Sequence, residues 1–80
     1  MELTTALDAF LTAKTASNRS ERTIEKYQDT ITRFIDYTGD ELIEQLQPED
    51  IERWMADRRK AGLLPNSLLT YYQSIATWLH

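Results

Sequence analysis

Arg22, Lys26, Asp29 and Arg33 recur at helical spacing, so that on an α-helix they form one continuous stripe. Three of the four are cations, and such a row suits phosphate oxygens and guanine edges. A second row, Asn66, Thr70, Gln73 and Thr77, repeats the same intervals with neutral hydrogen-bonding groups. Amides suit adenine edges, and hydroxyls serve either backbone or bases. Two such rows on neighbouring helices could enter a groove of a duplex and flank its phosphates. A charged outer face is also what any solvated helix shows. Glu21 and Glu25 directly precede Arg22 and Lys26, and Asp29 is spaced to pair with Lys26 or Arg33 along the helix. On these residues alone both readings stand.

Covalent or acid–base chemistry finds no comparable grouping. Tyr27 and Tyr71 fall on apolar stripe positions, Tyr72 adjoins one and Tyr37 follows Asp36. None is flanked by bases and cations that would activate a phenol. His80 is the single histidine and cysteine is absent, so a histidine-based triad, a thiolate metal site and a disulfide framework are all excluded. The carboxylates are scattered along solvated faces, and no glycine-rich phosphate loop occurs. The expectation is a non-catalytic chain with no cofactor and no metal.

A net charge of −4 argues against a nucleic-acid partner, but the charge is segregated. Between Lys14 and Arg33 five bases (Lys14, Arg19, Arg22, Lys26, Arg33) face three acids, whereas Asp36 to Asp57 holds eight acids and one base, Arg53. Arg58-Arg59-Lys60 follows, with no acid after it. A segregated field can present one basic side while the total stays negative; equally, the acids can simply coat a solvated middle segment. No apolar run reaches membrane-span length and no signal-peptide pattern follows Met1, which points to a cytoplasmic protein.

The elements that must position these rows are helices. Glycine and proline punctuate the chain only at Gly39, Pro48, Gly62 and Pro65, and the segments between carry helix-period apolar patterns without strand-like alternation. The first helix is expected from about Thr4 to Thr15, capped by Thr4 or Thr5, with Leu7, Phe10 and Leu11 inward. Ser20 caps the second, whose buried stripe is Ile24, Tyr27, Ile31, Phe34 and Ile35, and Gly39 ends it. Pro48 opens the third at the position where a missing N–H costs nothing; acids lead it, bases close it, and Gly62 ends it. Pro65 opens the fourth, with Leu68, Tyr71, Tyr72, Ile75, Trp78 and Leu79 apolar. Residues 40–47 form a connector, with room for a helical turn.

An offset of 44 residues lays the second half of the chain on the first. Leu7, Phe10, Leu11 and Lys14 fall on Ile51, Trp54, Met55 and Arg58. Ile24, Tyr27, Ile31, Phe34 and Ile35 fall on Leu68, Tyr71, Ile75, Trp78 and Leu79, and the hydroxyls Thr23 and Thr30 fall on Ser67 and Ser74. Two helical hairpins with matching stripes imply a pseudo-twofold all-α fold in which each hairpin buries its face against the other.

The segment Ser20-Glu21-Arg22-Thr23-Ile24-Glu25-Lys26-Tyr27, continued by Ile31, Phe34 and Ile35, resembles the second helix of the SAM-like core-binding domain of tyrosine recombinases and phage integrases. Thr5–Lys14 is similar to that family's opening helix. Leu46-Gln47-Pro48-Glu49-Asp50-Ile51-Glu52-Arg53-Trp54 is similar to the start of its third, and Gly62–Leu79 to its glycine-led fourth. The resemblance implies a DNA-binding domain over residues 1–80, with the catalytic domain absent from this chain. The two would close as a clamp around duplex DNA for integration or recombination. It implies DNA contacts by Arg22, Thr23, Lys26 and Arg33 of the second helix and by Asn66, Ser67, Thr70 and Gln73 of the fourth. Thr23 and Ser67 are equally suited to bracing their helix starts. It further implies a tetramer of protomers on DNA, with the isolated domain monomeric. Two features depart from the pattern. No positive side chain lies between Lys60 and His80, where the family commonly carries one on its fourth helix, and the acidic total implies weak binding by this domain alone. Trp78-Leu79-His80 ends without a cap, as a boundary inside a longer protein would. The rival reading is a helical protein-interaction module in which Trp54, Tyr72 or Trp78 is partly exposed to a partner helix.

Overall fold

Where the punctuation residues fall, the helices break. The computed structural model describes residues 1–79 and contains α1 (Leu3–Ala16), α2 (Glu21–Thr38), a 3-10 turn (Ile43–Gln45), α3 (Pro48–Lys60) and α4 (Pro65–Leu79). The uncapped end expected at His80 lies outside the described residues. Ser20 begins α2 as expected: its Oγ accepts the Thr23 N–H at 3.2 Å. Gly39 ends α2 with φ +91°, a left-handed value that favours glycine, while its N–H donates to the Ile35 carbonyl at 2.7 Å. At the start of α3 the Asp50 carboxylate accepts the Gln47 N–H at 2.8 Å. Glu49 and Asp50 occupy the first turn of α3, and Arg58, Arg59 and Lys60 the last, each complementing the helix dipole.

The start of α1 differs from the expectation. It begins at Leu3, after an extended Glu2 whose side chain caps nothing, and neither Thr4 nor Thr5 is the cap. The cap arrives from far along the chain: both the N–H and the hydroxyl of Thr4 donate to the Asp40 carboxylate, at 3.0 and 2.9 Å. Beside it the Leu3 N–H donates to the Glu41 carbonyl at 2.9 Å and the Ile43 N–H to the Met1 carbonyl at 2.7 Å, giving an isolated antiparallel bridge between Glu2 and Leu42. The connector is thereby fastened to the front of α1.

The buried core draws on every helix: Leu3, Ala6 and Leu7 of α1, Ile31, Phe34 and Ile35 of α2, Trp54 of α3, and Ile75 and Trp78 of α4. Phe10, Leu11, Tyr27, Ile51, Met55, Tyr71 and Leu79 are half-buried against it. Tyr72, placed on the apolar face by its neighbours in sequence, is instead 55% exposed. At 3.6 residues per turn it stands roughly 120° around the helix from Trp78 and roughly 160° from Ser74, so the ring projects past the core.

The internal repeat is a repeat in space. Phe10 meets Tyr27 edge-on with ring centroids 5.2 Å apart, and their images Trp54 and Tyr71 stack at 5.4 Å. Phe34 and Trp78, each the other's image, meet edge-on at 6.3 Å, as residues beside a pseudo-twofold axis would. The hydroxyls Thr30 and Ser74, also images, are both buried. Each hairpin, α1–α2 or α3–α4, closes on its own aromatic pair, and α2 packs against both α3 and α4.

Candidate nucleic-acid interface

The core fixes the phase of α2 and α4 and so decides which side chains meet along their contact. With Tyr27, Ile31 and Phe34 turned inward, Thr23 and Lys26 fall at the edge of α2 that faces α4. With Ile75 and Trp78 inward, Thr70, Gln73 and Thr77 fall at the matching edge of α4. These residues, with Tyr27 and Ser74, line an open groove of about 450 Å³ between the two helices. A second depression of about 250 Å³ adjoins it, lined by Lys26, Asn66, Ser67, Thr70 and Tyr71. Lys26 and Thr70 belong to both, so the two form one continuous trough, lined by hydroxyl, amide and ammonium groups together with apolar surface.

Six of the eight residues selected from the sequence therefore come together: Thr23, Lys26, Asn66, Ser67, Thr70 and Gln73. Arg22 is exposed on the same stripe of α2 but outside the walls of the trough. Arg33 is also outside them, and its Nε donates to the Asp29 carboxylate at 3.1 Å. That hydrogen bond, then the charge of Asp29, raises the guanidinium's pKa further above its ordinary value. Among the described residues Arg22 and Lys26 make no ion pair.

Thr23 also has a bracing role, because its hydroxyl oxygen accepts a hydrogen bond from Ser20 at 2.9 Å. Thr70 and Thr77 turn their hydroxyls back on the helix, donating to the Asn66 and Gln73 carbonyls at 3.1 and 2.8 Å. Tyr27, Tyr71, Ser74 and Thr77 stand outside the contacts that the family resemblance implies. Thr77 is legible as the fourth member of its row, whereas the other three read as core because their phase is inward.

The electrostatic character of the trough sets it apart. Among the described residues no carboxylate lines either of its depressions, in a chain of net charge −4. Two other depressions, by contrast, include Glu41 and Asp50 in one case and Glu25 and Asp29 in the other. Lys14, another base of the cationic half, lies over the Phe10 ring at 5.3 Å and lines neither depression. Among the described residues no helix is long and apolar enough to cross a membrane.

Four helices in two aromatic-pinned hairpins, joined by a short capped connector, define an all-α SAM-like domain. The family model for the phage integrase N-terminal SAM-like domain matches residues 6–77, and the chain belongs to that family. This is the N-terminal part of integrases and not their catalytic domain. Comparison with curated proteins and with solved structures returns no match.

Proposed function

We propose that this chain is a duplex-DNA-binding domain, non-catalytic in itself, which holds DNA through the α2–α4 trough. A separate catalytic domain C-terminal to it would close on the other side of the duplex for integration or recombination. Lys26 and the exposed Arg22 neutralise phosphates, Arg33 joins them when DNA displaces Asp29, and Asn66, Ser67, Thr70 and Gln73 meet the groove. Thr23 contributes its position at the α2 start. The tetramer, the monomeric state of the free domain and the cytoplasmic location follow from the same reading.

One observation carries this reading: polar side chains of two helices far apart in sequence converge on a trough that, among the described residues, no carboxylate lines, in an acidic protein. Carboxylates line the other two depressions, so of these concave surfaces the trough offers a polyanion the least unfavourable approach. The test is fluorescence anisotropy of the chain with a labelled duplex across a salt series. The expected result is steep weakening with salt, with a log–log slope shallower by about 2 in Arg22→Glu/Lys26→Glu, since each neutralised phosphate contributes about 0.9. Arg59→Glu/Lys60→Glu changes charge equally at residues that line neither depression, and an equal loss there would remove the assignment to this face.

The interaction-module reading rests on exposed apolar groups: Leu64, Leu69 and Tyr72 at 71, 56 and 55%. Of the three aromatics it called on, Trp54 and Trp78 are buried and Tyr72 alone is available. Partner binding that ignores salt would favour it.

A further inference from the structure

Resting on that reading, we infer that the two walls of the trough divide the work, with α4 as a sequence-reading helix that selects A·T base pairs through adenine edges and thymine methyls while α2 holds phosphates. What sets α4 apart is the absence of charge. Its row Asn66, Thr70, Gln73, Thr77 has no charge, so it gains little from phosphates, which reward cations. A neutral row set beside a cationic one is suited to base edges, where hydrogen-bond pattern and shape count more than charge.

The hydrogen bonds within α4 then narrow the choice of base. Thr70 and Thr77 commit their hydroxyl protons to the helix carbonyls of Asn66 and Gln73. A threonine so held has no proton left for a phosphate or a base acceptor, which leaves its methyl group as the means of contact we assign to it. Among major-groove edges, the partner for a methyl is the thymine 5-methyl. The side-chain amides of Asn66 and Gln73 make no hydrogen bond among the described residues, and both residues are exposed. A free carboxamide matches the N7 acceptor and N6 donor of adenine in a bidentate pair.

The row thus alternates amide, methyl, amide, methyl along the helix, and an A·T pair offers both complements. At 1.5 Å per residue, the span from Asn66 to Thr77 is about 16 Å, or roughly five base-pair steps of 3.4 Å. The recognised element is a run of about that length rich in A·T pairs, approached from the major groove. Lys26, shared by both depressions, lies beside Thr70 and is placed to hold the adjoining phosphate.

The experiment uses three short duplexes with identical flanks: an A·T centre, the same centre with deoxyuridine replacing thymidine, and a G·C centre. Their affinities for the chain are measured at low ionic strength. The A·T duplex should bind best. Deoxyuridine should weaken binding about fourfold for each thymine methyl that α4 had covered, and the G·C centre about fivefold or more. Thr70→Ser/Thr77→Ser keeps both hydroxyls and deletes both methyls; it should bind the deoxyuridine duplex as the parent does and no longer distinguish thymidine from deoxyuridine. Gln73→Ala should lose discrimination against 7-deazaadenine. Circular dichroism checks that each variant is folded. Equal affinity for all three duplexes, with binding still weakened by Arg22→Glu/Lys26→Glu, overturns base reading by α4 and leaves DNA binding intact. Absence of binding to every duplex at low salt overturns both.

Discussion

The two hairpins share a core and differ in what they show to solvent. Inside, Phe10–Tyr27 is answered by Trp54–Tyr71, and Phe34 by Trp78, with apolar phase kept at each matched position. Outside, Arg22, Lys26, Asp29 and Arg33 are answered by Asn66, Thr70, Gln73 and Thr77, with no charge retained. The core is held to its pattern because an apolar side chain has to fill a fixed space. A surface row carries no packing constraint, so the two copies are free to take different chemistry. The pseudo-twofold axis therefore relates two scaffolds and leaves two unlike faces side by side.

The aromatic pairs show the largest effect. Trp54→Ala removes a side chain that is 1% exposed and should cost about 3–5 kcal/mol. That is a large share of the roughly 5–15 kcal/mol that stabilises a native domain, and denaturant unfolding will measure it. Phe10→Ala, at the matching but half-buried place, should cost less. Equal costs would show that the hairpins carry equal shares of the core.

The faces can be made alike. Thr70→Lys places on α4 the charge that Lys26 gives to α2. It should raise duplex affinity and steepen the salt dependence by about 0.9, read from anisotropy across a salt series. It should also blunt the preference for A·T centres. An unchanged slope would put Thr70 away from the DNA.

A smaller effect concerns the helix starts. Asp40→Ala removes the acceptor of both Thr4 donors and should cost about 1 kcal/mol, seen as a lower midpoint in urea. The decisive comparison is amide exchange: the first turn of α1 should lose protection while that of α3, capped locally by Asp50, keeps it. The smallest change is expected of Asp29→Asn. It releases Arg33 from an exposed ion pair, so the melting temperature should hold and duplex affinity should rise a few-fold.

Much of the fold is legible in the sequence because its signals are local. Ser20, Gly39, Pro48, Gly62 and Pro65 mark their boundaries through neighbouring backbone groups, and the apolar period sets the phase of each helix. The cap of α1 is not legible, because its acceptor is 36 residues away at Asp40 and no local pattern announces it. Leu3 escapes notice with it, since a helix expected to begin at Thr4 leaves Leu3 outside. Residue type marks Tyr72 as apolar, whereas its angular position governs where it lies. For the candidate site, the rows are readable from spacing alone, and so is the option that Asp29 pairs with Arg33. That the rows adjoin across a trough depends on how α2 crosses α4, which is a property of packing and not of either segment.

The latch between the connector and the front of α1 has a consequence for how the molecule is made. A ribosome releases residues 3–16 well before residues 40–43, so the first helix emerges with Thr4 unanswered and Leu3 and Met1 unpaired. Its leading turn will fray during synthesis and settle only when Asp40, Glu41 and Ile43 arrive. Closing that long loop is the entropically costly step, and everything between its ends is drawn in with it. Cutting the chain just after Thr38 would leave both helices of the first hairpin intact in sequence and still deprive α1 of its beginning.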